Sequence, residues 1–316
     1  MKLSIVIPVY YNEENLIPLY EDIKSKIINV IDFEYEIIMV DDGSKDNSFA
    51  VMKELSQKDD NLHIYRLSRN FGSHAAILCG LSKCSGDCAV VKAADLQEPT
   101  ELILKMYEKW KQGANVVLGV RDGRDEGRSQ TFFANMYYGM VRRFILSDMP
   151  KQGFDVYLID RKVIDVLMAL DERNSALTGQ ILWSGFKTET VSYHRLAREI
   201  GQSRWTLKKK IKLVADTMYS FSVLPIKIVT IVGMLSLIGG IIWAIVEIVC
   251  KLAGMINVTG WTTLFIFNLM SFGIIMFSVG ILGEYIWRIY DVSRNRPTYI
   301  VEENDKEPNI RQRTGD

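Results

Sequence analysis

Leu3-Ser4-Ile5-Val6-Ile7-Pro8-Val9-Tyr10-Tyr11-Asn12-Glu13-Glu14 is the stretch whose reading decides the fold. An apolar, β-branched run from Leu3 to Val9 gives way abruptly to polar residues, which predicts a buried strand whose carboxyl end opens into a polar loop. Asn12, Glu13 and Glu14 arrive before any signal-peptide core could form, so the segment is expected as a strand and not a leader. The same grammar recurs outward from it. Glu36 to Val40, His63 to Leu67, Cys88 to Val91 and Val116 to Leu118 read as further strands, with helical patterns between them at Glu14 to Ile28, Asp46 to Gln57, His74 to Lys83 and Thr100 to Lys111. Strands alternating with helices of this length imply βαβ units, right-handed crossovers and a mostly parallel sheet. The expected class is therefore α/β, with ligands beyond the carboxyl ends of the strands. No internal repeat or low-complexity segment interrupts the pattern.

The chain has 316 residues, 48% of them hydrophobic, with 38 basic and 38 acidic side chains. A formal charge of zero argues against a nucleic-acid binder held by a global positive field and leaves room only for a local basic patch. With 24% charged residues and only 7 prolines, the chain is neither disordered nor poor in core formers. Cys79, Cys84 and Cys88 lack the spacing of a zinc knuckle and read as small buried hydrophobes in a reducing compartment.

The second half changes character. Ile228 to Val246 is an uncharged run of 19 residues, long enough as a helix, at about 28 Å, to span a bilayer. A second uncharged run covers Leu252 to Gly283, and Trp243, Trp261 and Trp287 are candidates for an aromatic belt. Lys208, Lys209, Lys210, Lys212 and Lys227 precede the first run, Arg288, Arg294 and Arg296 follow the second, and the connector offers Lys251 alone. Excess basic residues stay cytoplasmic, so a hairpin with both termini cytoplasmic is expected. Thr206 to Val223 sets apolar positions against a lysine cluster, the pattern of a helix lying in a membrane interface. The expected divisions are a cytoplasmic domain at 1–205, an interfacial helix at 206–224, a transmembrane hairpin at 225–288 and a cytoplasmic tail at 289–316.

The polar loops fall at the strand ends. Pro8 to Glu13 closes the first strand, Asp41-Asp42-Gly43-Ser44 follows the second, and Ala94-Asp95-Leu96-Gln97-Glu98-Pro99 follows the fourth. The last offers a carboxylate able to hold a hard divalent cation that bridges phosphates. Singly these signals are weak, because an Asp-Gly-Ser turn is common and Asp46 is a plausible helix cap.

Taken in order, Ile5-Val6-Ile7-Pro8-Val9-Tyr10 with Asn12-Glu13-Glu14, Val40-Asp41-Asp42-Gly43-Ser44, Arg69-Asn70-Phe71-Gly72 and Ala94 to Pro99 resemble glycosyltransferase family 2. With the two C-terminal runs, the whole chain is similar to its polyprenyl-phosphate branch. The resemblance implies a Rossmann-like GT-A domain and a nucleoside site at Pro8, Tyr10, Glu13, Asp42 and Ser44. It also implies Mg²⁺ or Mn²⁺ at Asp95, diphosphate contacts from Gln97, and an acceptor-side catalytic carboxylate at Asp155. Arg195, Arg198, Ser203 and Arg204, ahead of Trp205, resemble a loop that closes over the donor diphosphate; a basic patch solvated at lipid headgroups would carry the same arginines. Arg121, Arg124 and Arg128 are further candidates. Two positions depart from the family: Ala93 stands where an aspartate is usual, and Tyr157 where relatives often carry arginine.

The implied activity is inverting transfer of a sugar from a nucleotide sugar, UDP-linked by analogy with bacterial relatives, to a membrane polyprenyl phosphate. The implied setting is the cell envelope, in a multi-pass membrane protein with room for homo-oligomerisation. Two alternatives stay open: a nucleotide-sugar-binding protein weakened or inactivated by Ala93, and a polysaccharide synthase. The synthase's Gln-x-x-Arg-Trp signature is missed by one residue in Gln202-Ser203-Arg204-Trp205.

Overall fold

The computed structural model describes residues 1–122, 139, 142, 149–170, 176–196, 219, 224–253 and 260–304. It opens with β1 (Lys2–Val9), α1 (Glu13–Ile23, continued by one π-helical turn at Lys24–Ile28), β2 (Glu34–Asp41), α2 (Ser48–Ser56), β3 (Leu62–Leu67), α3 (Ser73–Lys83), β4 (Cys88–Val91), α4 (Leu102–Lys111) and β5 (Val116–Arg121). These are the strands and helices expected from the hydrophobic pattern. Then come β6 (Val156–Asp160), α5 (Arg161–Ala169), α6 (Leu177–Trp183), β7 (Thr188–Tyr193), the long helices α7 (Leu224–Leu252) and α8 (Trp261–Ser293), and β8 (Val301–Asn304).

One eight-stranded sheet runs β7-β5-β6-β4-β1-β2-β3-β8. Neighbours β4, β1, β2 and β3 are parallel, β6 is antiparallel to both β4 and β5, β7 is parallel to β5, and β8 closes the far edge antiparallel to β3. Period-two alternation explains why β1 is apolar throughout: Leu3, Ile5, Ile7 and Val9 enter one core and Val6 enters the other. The first core packs α1, α2 and α4 on one face through residues such as Leu16, Met52 and Met106; the second packs α3, α5 and α6 on the opposite face through Ile77, Ile164 and Ile181. Full burial of each such side chain contributes about 1.5–3 kcal/mol. Cys79, Cys84 and Cys88 are buried free thiols among these side chains, and burial pushes all three thiol pKa values up.

At the other end of the sheet, opposite the loops that matter for function, β2 carries a buried acid. Glu36 is 3% exposed and accepts hydrogen bonds from Ser4 Oγ at 2.6 Å and Ser85 Oγ at 2.7 Å, while Lys2 Nζ lies 2.7 Å away. Burial alone would raise its pKa, but Lys2, Ser4 and Ser85 together hold it down, from an ordinary 4.5 to about 2. A depressed carboxylate stabilises the fold above its unfolded pKa and loses that contribution as pH falls through the folded value. Glu36 is therefore expected to contribute about 3 kcal/mol at neutral pH, lost between about pH 4.5 and pH 2. Denaturant titration of the detergent-solubilised chain checks this: Glu36→Gln should lower stability at pH 7 and flatten the acid limb, and an unchanged acid limb would refute it.

The chain divides into two compact units, 1–214 with 296–316, and 215–295. In the second unit α7 and α8 each contain a stretch long and apolar enough to cross a membrane, Pro225–Trp243 at mean hydropathy 2.1 and Met270–Ser293 at 1.5. Apart from Tyr219 and Leu224, the interfacial helix expected at 206–224 lies outside the described residues. Within the segment expected as a tail, α8 runs on to Ser293 and Val301–Asn304 returns to the sheet, with Ser68 N donating to Ile300 O at 3.0 Å and Tyr299 Oη 2.8 Å from Ser82 Oγ.

Candidate active site

The parallel strands end together. Val9 lies in register with Asp41, so the loops after β1 and β2 emerge side by side, and Asp42 N donates to Val9 O at 2.9 Å. Side chains then tie these loops to each other. Ser44 Oγ accepts from Tyr11 N at 2.9 Å, Ser48 Oγ accepts from Asn12 N at 2.9 Å, and Glu13 Oε2 accepts from Asn47 N at 2.7 Å at the start of α2. Asp42, 3% exposed, accepts from Phe71 N at 2.7 Å and Gly72 N at 2.9 Å, which draws in the loop after β3. Beneath it, Asp41 accepts from Ser44 N at 3.1 Å and lies 3.5 Å from Arg66 Nε. Of the five nucleoside residues expected from sequence, Glu13, Asp42 and Ser44 thus organise the loops, while Pro8 and Tyr10 are partly exposed beside them.

Gly43 makes this packing possible. Its φ of 67° lies in the left-handed region, and a Cβ on it would sit 2.5 Å from the Arg69 carbonyl carbon. Gly43→Ala must push the Arg69-Asn70 backbone away and disturb the Phe71 and Gly72 amides that Asp42 holds. A loss of nucleotide affinity of about tenfold or more is expected, and calorimetric titration with UDP and GDP measures it.

The loop after β4 is the second half of the site. Asp95 and Gln97 are partly exposed on either side of Leu96, a non-glycine residue at φ 57°. Gln97 is gripped by the segment that follows β7: Arg195 donates to its Oε1 at 2.6 Å, Leu196 N donates to its carbonyl at 2.9 Å, and its Nε2 donates to Leu196 O at 3.3 Å. The two residues assigned to the diphosphate on opposite sides of the sequence, Gln97 and Arg195, are therefore in direct contact. Arg198, Ser203 and Arg204, like Arg124 and Arg128, lie outside the described residues.

Asp155 sits immediately before β6, 44% exposed, and forms an ion pair with Arg121, 14% exposed, at the end of β5. Asp122 N donates to Tyr193 O at 2.9 Å, joining this corner to the segment that carries Arg195. Arg121 is the residue whose importance sequence reading understated; its signal was an arginine at the carboxyl end of an otherwise apolar strand. Tyr157, the second departure, is 3% exposed in the core between Val91 and Leu118, where its ring meets Phe154 edge-on at 6.0 Å. An arginine there would be a buried charge, whereas the tyrosine packs its ring in this core with a hydroxyl that meets no partner among the described residues.

The sequence profile of glycosyl transferase family 2 matches residues 4–167. The chain belongs to glycosyl transferase family 2. Glycosyltransferase relatives align over nearly the full chain. An uncharacterized glycosyltransferase of Bacillus subtilis (strain 168) is 38% identical, covering 96% of this chain and 94% of its own length. A second uncharacterized glycosyltransferase, from Synechocystis, is 33% identical over 96% of this chain and 95% of its own. The bactoprenol glucosyl transferase of Shigella phage SfV is 32% identical, covering 97% of this chain and 100% of its own length. The mostly parallel sheet with polar loops at its strand ends is the Rossmann-like GT-A fold expected of a family 2 glycosyltransferase, and the protein is an enzyme of that class.

Proposed function

We propose that this enzyme transfers a sugar from a nucleotide sugar, UDP-linked, to a membrane polyprenyl phosphate with inversion at the anomeric carbon. The observation that carries the reading is the alignment, across 97% of the chain, with a relative named bactoprenol glucosyl transferase. Two helices long and apolar enough to cross a membrane, α7 and α8, suit a lipid acceptor. In this reading both chain termini and the catalytic domain face the cytoplasm.

The residues divide the work. The clasped loops after β1, β2 and β3 form the nucleoside site, with Pro8 and Tyr10 as its accessible walls. Gln97 and Arg195 meet the diphosphate, where a guanidinium fork matches phosphate oxygens. The donor set fits a hydrated Mg²⁺ or Mn²⁺: Asp95 offers a hard carboxylate oxygen at a partly exposed strand end, and such ions keep several waters and bind readily through one carboxylate and substrate phosphates. When bound, the ion neutralises charge on the leaving diphosphate. The acceptor phosphate, with a second pKa near ~6, is largely dianionic at neutral pH and attacks with little help from a base. Asp155, fixed by Arg121, positions that acceptor and stabilises positive charge developing on the sugar ring.

The deciding experiment incubates the membrane-embedded enzyme with a panel of nucleotide sugars and undecaprenyl phosphate and weighs the lipid product. A product heavier by one sugar residue is expected with a UDP-sugar; no product from any donor overturns the reading, and a product from a GDP-sugar alone overturns the choice of base.

A further inference from the structure

Beneath the loop that carries Asp95 lies a charge with no place in the reaction as described. Lys92 follows β4 directly, is 1% exposed, and is among the largest fully buried side chains. Its ammonium donates to the carbonyl of Glu98 at 2.6 Å and so closes the loop from below. Glu98 is itself 4% exposed, and its Oε2 meets no hydrogen-bond donor among the described residues. Burial lowers the pKa of Lys92, while the carboxylates of Glu98, Asp22 and Asp95 act in the opposite sense. Burial raises the pKa of Glu98, and Asp95 adds to the rise while Lys92, Arg195 and Arg121 offset it. The Lys92 ammonium, fixed on the Glu98 carbonyl, thus sits under the loop that carries both Asp95 and Glu98. Of the other acids near it, Asp22 is engaged by Thr100 and by Lys26 at 2.9 Å.

The charge count at this strand end is unusual. A site with aspartates at both positions 93 and 95 would present two carboxylates to a cation; this chain presents Asp95, an alanine at 93 and, beneath them, a buried ammonium at 92 whose neighbour in the loop is the buried Glu98. Among the described residues, no group of three or more His, Cys, Asp or Glu side chains could hold a metal ion. A hard divalent cation on one carboxylate needs further oxygen ligands, and a fixed positive charge in a low-dielectric setting opposes its approach. A nucleoside diphosphate supplies both the missing oxygens and the missing negative charge.

We propose that Lys92 makes cation binding at Asp95 conditional on the donor: the loop takes a divalent cation together with a nucleoside diphosphate and not alone. This rests on the donor-site reading given above. Lys92 is a positioning residue in this scheme, since it sets the charge of the loop from beneath and touches neither donor nor acceptor.

Manganese binding to the full-length protein in detergent micelles, followed by the electron paramagnetic resonance of free Mn²⁺ and by calorimetry, tests this without turnover. Wild-type protein is expected to show no saturable site for Mn²⁺ alone below about 1 mM, and to bind Mn²⁺ with UDP or GDP present. Lys92→Met and Lys92→Gln should bind Mn²⁺ without nucleotide at least about tenfold more tightly than wild type, and Lys92→Arg should behave as wild type. The glutamine variant retains a donor toward Glu98, so a gain shared by both neutral variants reports charge and not a lost strut. Micromolar Mn²⁺ binding to nucleotide-free wild type overturns the inference alone, as does unchanged affinity in a neutral variant that melts like wild type. The wild-type arms need no variant to fold. If wild type fails to bind Mn²⁺ even when UDP or GDP is present, the donor-site reading falls and takes the inference with it.

Discussion

Asp95→Ala is expected to lower turnover by about 10²–10³-fold in Mg²⁺ or Mn²⁺, the cost of removing one electrostatic group from a transition state that develops charge. Asp95 is partly exposed near the start of the loop after β4, while Glu98, in the same loop, is buried with Lys92 beneath. No second carboxylate stands at position 93 to compensate. Product mass analysis at saturating donor measures the loss, and Ala93→Asp provides the control. In a working enzyme that substitution should change turnover by no more than a few fold, because phosphate oxygens and water already complete a hydrated cation's shell. An inert wild-type protein that Ala93→Asp revives would show that the alanine disables the site. Brisk wild-type turnover in chelator would remove the cation from the mechanism.

Which parts of this were legible beforehand follows from what each segment buries. Strands β1 to β5 are flanked on both faces by helices, so their sequences are continuous apolar runs with polar loops at one end, and both the strands and the loops can be read directly. β7 has the sequence Thr-Glu-Thr-Val-Ser-Tyr and is only partly buried along most of its length, so its pattern carries little hydropathy. It is held by pairing with β5, a contact between residues about 70 apart that no local pattern announces. β8 is four residues long, two of them glutamates, and exists because β3 offers an edge to pair with. The site divides in the same way. Loop residues chosen by motif sit where strand ends put them, but the role of Asp42 and Glu13 as clasps between loops emerges only in three dimensions. Lys92 left one trace in the sequence, a lysine directly after the apolar Cys88 to Val91 run, and its burial under Glu98 shows why it stands there.

The acceptor role proposed for Asp155 gives the other large effect. Asp155 lies on the antiparallel strand's approach, far in sequence from every donor loop, and its partner Arg121 comes from the end of β5. The arginine is the more buried of the pair, so the fold fixes the guanidinium and the guanidinium fixes the carboxylate, which remains open to incoming groups. Asp155→Asn keeps the shape of the side chain and removes the charge. It should cut kcat by about 10²–10⁴-fold while nucleotide affinity stays within a few fold, as expected when an interaction is made mainly in the transition state. Arg121→Gln separates placement from charge: it frees the Asp155 carboxylate without neutralising it, so it should raise the acceptor KM as well as lower kcat. Rates with varied undecaprenyl phosphate, beside calorimetric binding of the nucleotide, resolve the two. Wild-type turnover in Asp155→Asn would strip the residue of its role. A collapse of nucleotide binding in the same variant would move Asp155 to the donor side, because only a group touching the donor, or holding what touches it, can change that affinity.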